Sequence, residues 1–172
     1  MKQIFAFLFV LFAASTVFAA NPSACDTTVL IVRHAEASSG SDDPELTEKG
    51  IARAARLAEV AKDAGVTVAY VTHLRRTRDT VMPLVETSDA KLIEVAVDRV
   101  AIKEQTIALG KRILAEHAGQ TVLVAGHSNT VPMLLEALGA NAVPEIAHDE
   151  HDRLYVVIVR EGAPVRVIAA RY

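Results

Sequence analysis

Hydrophobic residues along this chain follow two alternating rhythms. Unbroken aliphatic runs of strand length, Val29-Leu30-Ile31-Val32, Val66-Thr67-Val68-Ala69-Tyr70-Val71 and Val122-Leu123-Val124-Ala125, are separated by stretches in which apolar positions return every three or four residues. Continuous runs suit strands covered on both faces, and the intervening helical stretches supply the cover. The first helix starts at Leu46-Thr47-Glu48-Lys49-Gly50 with Thr47 as N-cap. Ile51, Ala54, Leu57, Ala58, Ala61 and Ala64 line its inner face against Arg53, Arg56, Glu59 and Lys62, and Gly65 takes the C′ position. The pattern predicts strands over 28–33, 66–72, 91–95 and 121–125, then a closing hairpin of 154–160 and 165–171 around Glu161-Gly162. It predicts further helices from the turn 73–80 to about Glu86, from about Lys103 to His117, and from the turn 126–130 to near Gly139. The expected fold is α/β, a three-layer α/β/α sandwich with a mostly parallel central sheet.

The first twenty residues follow neither rhythm. Lys2 precedes the apolar stretch Ile4–Ala14, and Val17 and Ala19 make a small-residue site, the pattern of a removed export signal. The stretch is short for a span of ~20 residues and runs directly into the cleavage site. Residues 1–20 are therefore read as a cleaved signal and 21–172 as one catalytic domain, bacterial and periplasmic or secreted, with no stable membrane insertion after cleavage. A chain of 172 residues, 51% apolar and 23% charged, has room for one real core. The single cysteine, Cys25, permits no internal disulfide, and Pro22-Ser23-Ala24 lacks the aliphatic residue of a lipidation box. Without the signal, 17 basic residues face 21 acidic ones, a formal charge of −4. That balance gives no general footprint for nucleic acid, so any anion must be held locally.

Local charge is where the chemistry lies. Two predicted strands end in a histidine, at Val32-Arg33-His34 and Ala125-Gly126-His127, and a third runs into Arg75, Arg76 and Arg78. Open α/β sheets bind ligands at the carboxyl ends of their strands. If these strands are parallel neighbours, two imidazoles and at least two guanidiniums converge at one edge. Guanidinium forks match phosphate oxygens, so the natural guest is a phosphoryl group.

These residues resemble the histidine phosphatase superfamily, with its phosphoglycerate-mutase-like fold. Arg33-His34-Ala35 matches the arginine-histidine-glycine signature with alanine in the glycine place. Leu46-Thr47-Glu48-Lys49-Gly50 matches the leucine-threonine-x-x-glycine helix start. Leu74 to Thr80 matches the leucine-x-arginine-x-x-x-threonine turn, and Gly126-His127-Ser128 matches the second-histidine motif. The resemblance implies that His34 accepts the phosphoryl group and that Arg33, Arg76 and His127 clamp its oxygens. It also implies a glutamate or aspartate to protonate the leaving group; Glu104 is the candidate, with Asp149, Glu150 and Asp152 as rivals or no acid at all. Arginines and histidines supply the positive charge, so no metal or other cofactor is expected.

The short connections leave little room for the insertions that cap substrates in larger relatives, which places the chain in a small, uncapped branch. The expected activity is that of an exported phosphomonoesterase. Its substrate could be a small molecule, a phosphoprotein or phosphohistidine, or a cell-envelope phosphate such as lipopolysaccharide. Two other classes stay open: a serine hydrolase using Ser128 on the strand-to-helix turn, and a non-catalytic anion-binding protein. His148-Asp149-Glu150-His151-Asp152 reads as a solvated loop rather than a metal site, His73 and His117 as surface histidines, and Arg75 and Arg78 as neighbours of the working Arg76.

Overall fold

The computed structural model describes residues 26–172 apart from Ala142 and Pro144; the export signal assigned to 1–20 and Cys25 lie outside them. The elements run β1 (Thr27–Arg33), α1 (Glu48–Ala61), β2 (Val66–Thr72), α2 (Arg75–Val85), β3 (Lys91–Val95), α3 (Ile102–Glu116), β4 (Thr121–Gly126), α4 (Thr130–Ala137), β5 (Arg153–Val159) and β6 (Arg166–Arg171). They form one sheet in the order β3-β2-β4-β1-β5-β6. Neighbours among β1 to β4 pair in parallel, while β5 runs antiparallel to β1 and β6 antiparallel to β5. The fold is the expected α/β sandwich with a mostly parallel sheet.

Alternation along the strands divides the core. Leu30 and Val32 of β1 join Leu123, Ala125 and Ala69 beneath Leu57 of α1 and Val81 and Leu84 of α2. Val29 and Ile31 point to the opposite face and join Val122, Val124 and Tyr70 beneath Ile113 of α3 and Val131, Leu134 and Leu135 of α4. Two-residue periodicity would put Val66 and Val68 on one face, yet they enter different cores because the register with β4 shifts between them.

His117 departs from the surface position expected of it. It is buried beside Tyr70, a tyrosine whose strand is covered on both faces and whose hydroxyl needs a partner there. The His117 Nδ1–H donates to the Gln120 side-chain oxygen at 3.1 Å, so Nε2 is free to accept the Tyr70 hydroxyl at 2.8 Å. Among the described residues no helix is long and apolar enough to cross a membrane.

The start of α1 is fastened to the loop beyond β1. Thr47 caps the helix by accepting the Gly50 N–H at 3.1 Å, and its own N–H donates to the Glu36 carbonyl at 2.9 Å. A Cβ at position 50 would collide with that carbonyl, so only glycine lets the helix come this close.

Candidate active site

The register of β1 against β4 places Arg33 opposite Gly126, so His34 and His127 leave adjacent parallel strands side by side. Their ring centroids are 5.3 Å apart. β2 flanks β4 on its other side and leads through Leu74 into the first turn of α2, which carries Arg76. The condition that the three strands be parallel neighbours is met.

His34 is held on several sides. Its backbone N–H donates to the Gly126 carbonyl at 2.9 Å, and its Nδ1 lies 2.7 Å from the Ala35 carbonyl oxygen. That oxygen can only accept, so Nδ1 carries the ring proton and Nε2 presents a bare lone pair. Burial, reinforced by the charges of His127, Arg33 and Arg76, holds the His34 pKa down at about 3 against the contrary pull of the Ala35 bond. The ring is neutral at any ordinary pH, the state in which an imidazole can attack phosphorus.

His127 is held more loosely. Its backbone N–H donates to Thr130 Oγ1 at 2.8 Å, while its Nε2 lies 3.3 Å from Thr72 Oγ1. A Cβ at Gly126 would press to 2.7 Å of Thr130 Oγ1, so glycine before the histidine keeps that hydroxyl in place. Burial, then Arg76 and Arg33, lower the His127 pKa to about 4.

The arginines separate clearly. Arg33 is only 5% exposed, and its Nη1 donates to the carbonyls of Ala147, His148 and Glu150 at 2.9, 2.9 and 3.1 Å. Its Nε is buried with no hydrogen-bond partner among the described residues. Arg75 pairs with Glu45 at 2.9 Å and Arg78 with Glu94 at 3.0 Å, both at exposed positions. Arg76 makes no ion pair among the described residues, and its charge bears on both His34 and His127.

The sequence model of the histidine phosphatase superfamily (branch 1) matches residues 29–101. Over those residues the chain is similar to that superfamily. No curated protein matches the chain by sequence. Among solved structures the chain is similar to mycobacterial hydrolase 1, with a TM-score of 0.68 at 13% identity over 86% of this chain and 99% of that one. It is similar to mycobacterial glucosyl-3-phosphoglycerate phosphatase, with a TM-score of 0.65 at 13% identity over 86% and 98%. A structure from Nakamurella described as the phosphohistidine phosphatase SixA gives 0.62 at 20% identity over 85% and 96%. At these identities the likeness is one of fold, here the histidine phosphatase fold.

Within that fold the late loop exposes Ala147, His148 and Asp149 to solvent as expected, yet its backbone is part of the site's frame. Its carbonyls grip Arg33. The next residue, His151, lies with its Nδ1 2.8 Å from the His34 carbonyl oxygen and its ring centroid 5.4 Å from that of His34. The sequence shows only a run of polar residues at 148–152; the long-range contacts single out His151 and the loop's carbonyls. Glu150 and Asp152 form ion pairs with Arg153 and Arg171, which hold the Glu150 carboxyl at about 2 and lower that of Asp152. Asp149 is exposed and close enough for its charge to act on Arg33. Glu104 is exposed in the first turn of α3 and has no hydrogen-bond partner among the described residues.

Two further residues gain roles that their motif positions alone do not disclose. Thr80 accepts the Ala35 N–H at 2.8 Å and donates to the Arg76 carbonyl at 2.6 Å, tying the loop after His34 to α2. Glu36 is gripped by Arg53 through two bonds of 2.8 Å and by Lys49 at 3.0 Å.

Proposed function

We propose that this protein is an exported phosphomonoesterase that works through a phosphohistidine on His34. The observation that carries the reading is the Nδ1 contact with Ala35, which leaves Nε2 unprotonated and aimed as a nucleophile beside His127 and Arg76. Nε2 attacks phosphorus, the P–O bond to the alcohol breaks, and the phosphoryl group passes to the ring. Arg76, Arg33 and His127 take the charge on the transferring oxygens. Water then attacks the phosphohistidine, releasing inorganic phosphate and restoring His34. The reaction as proposed calls on no metal or cofactor.

The leaving oxygen needs a proton. Glu150 and Asp152 are poor donors because their ion pairs stabilise the carboxylate. Glu104 remains the assigned acid and Asp149, beside Arg33, its competitor; Glu104→Gln and Asp149→Asn, compared on alkyl and nitrophenyl phosphates, separate them, since only loss of the true donor penalises the poorer leaving group more. Export rests on the sequence of residues 1–20 and places the enzyme in the periplasm or outside the cell.

The deciding experiment is phosphate release from p-nitrophenyl phosphate by the wild type and by His34→Ala, with mass spectrometry of enzyme quenched under alkali. Wild-type turnover, a phosphoryl adduct on His34 and loss of at least ~1000-fold in the variant are expected. Equal rates in the two proteins would sink the proposal. Ser128→Ala stays within about twofold of wild type; complete loss would favour a serine hydrolase instead.

A further inference from the structure

Beside the site, a cavity of about 330 Å³ separates α3 from the sheet. Its depth is walled by Tyr70, Val124, Leu109 and Leu134. Its roof is shared with the catalytic edge, because Thr72, Gly126 and Thr130 line it and the two threonines bond to His127. Its lip is the loop before α3, where Ala96, Val97 and Ile102 line the opening. The same loop bears Arg99, whose charge acts on Arg76, and Val100, 93% exposed.

We infer that the substrate is the phosphomonoester of an apolar alcohol, and that its hydrocarbon part lies in this cavity while the phosphate meets His34. The inference rests on the phosphomonoesterase reading and names its substrate class. Size permits it: a 150 Å³ apolar cavity holds benzene, and this one has roughly twice that room. Polarity favours it. Thr106 donates to the Ile102 carbonyl, Tyr70 to His117, and Thr130 accepts from His127. The Gln105 side-chain oxygen takes the Asp98 N–H, and Arg112 pairs with Glu116. The walls are mostly aliphatic, so they suit an alkyl or aryl group better than a sugar or glycerol group, whose hydroxyls would find few partners beyond the Gln105 amide and the Arg112 guanidinium.

Non-hydrolysable phosphonates test this apart from catalysis. Methylphosphonate and hexylphosphonate are titrated calorimetrically into the wild type, Ala96→Phe and Ala108→Phe; both alanines line the cavity from exposed positions, so the larger ring fills space without disturbing the core. Each buried methylene contributes ~fourfold, less the ordering of the chain. Hexylphosphonate is expected to bind at least ~30-fold more tightly than methylphosphonate to the wild type, and the ratio to fall below about threefold in the variants while methylphosphonate affinity holds. Equal affinities in the wild type, absence of hexylphosphonate binding, or a ratio that survives both substitutions would each overturn the inference. Failure to hydrolyse p-nitrophenyl phosphate would instead strike the phosphomonoesterase reading alone.

Discussion

His34 and His127 leave matching ends of neighbouring strands, yet they are held very differently. His34 is tied through its own N–H, through Nδ1 to Ala35 and through its carbonyl to His151, while the Thr80 hydroxyl fixes the next residue. Among the described residues the His127 ring has a single hydrogen-bond contact, 3.3 Å to Thr72 Oγ1. A nucleophile must present one nitrogen along one line, which rewards a ring that cannot turn. A group that steadies shifting charge on phosphate oxygens gains from some freedom to follow them. Backbone holds the His34 imidazole; side chains hold that of His127.

Substitutions at the looser end grade this contrast. His127→Ala is expected to lower kcat/KM on p-nitrophenyl phosphate by about 100- to 1000-fold, less than His34→Ala, with the phosphoenzyme still detectable. If its loss equals that of His34→Ala and no adduct forms, the two rings share the nucleophile's role. Arg76→Ala follows at about 100-fold, visible mainly in kcat, whereas Arg75→Ala, which breaks only the exposed pair with Glu45, stays within twofold. Thr72→Val removes the hydroxyl that steadies His127 and is expected to cost about three- to tenfold in activity. Thr72→Ser restores most of it, which a purely structural role for the methyl group would not allow.

Acid separates the pair in another way. Both rings are neutral in the folded protein, with pKa values of about 3 and about 4 against an ordinary 6.5. The unfolded chain therefore binds more protons between these limits, and stability falls as pH drops below 6.5 by up to about 1.4 kcal/mol per pH unit for each ring. The His127 share ends near pH 4, while that of His34 continues toward pH 3. Urea unfolding of the wild type and of His34→Gln between pH 4 and 7 should show a shallower slope for the variant; identical slopes would mean that His34 is charged when folded.

Much of this site is legible in the sequence because its parts are local. The strand runs end where their apolar pattern ends, so Arg33-His34 and Gly126-His127 announce themselves, and Arg76 follows from its turn. Parallel pairing of β1 with β4 then brings them together. The residues that escape notice are those whose role depends on distant partners. His117 looks like a surface histidine until Tyr70 is placed across from it, and His151 looks solvated until Arg33 draws its loop inward. No periodicity encodes a guanidinium meeting three carbonyls more than a hundred residues away.

That grip on Arg33 also bears on the order in which the enzyme comes into being. The quoted motifs are complete by residue 130, but the carbonyls that hold Arg33, the imidazole against the His34 carbonyl, and the strand β5 beside β1 all come from residues 147–159. Chains fold as they are made, from the amino end onward. A nascent chain that already carries Arg33, His34, Arg76 and His127 thus still lacks the frame around Arg33 and His34, which arrives with residues 147–159.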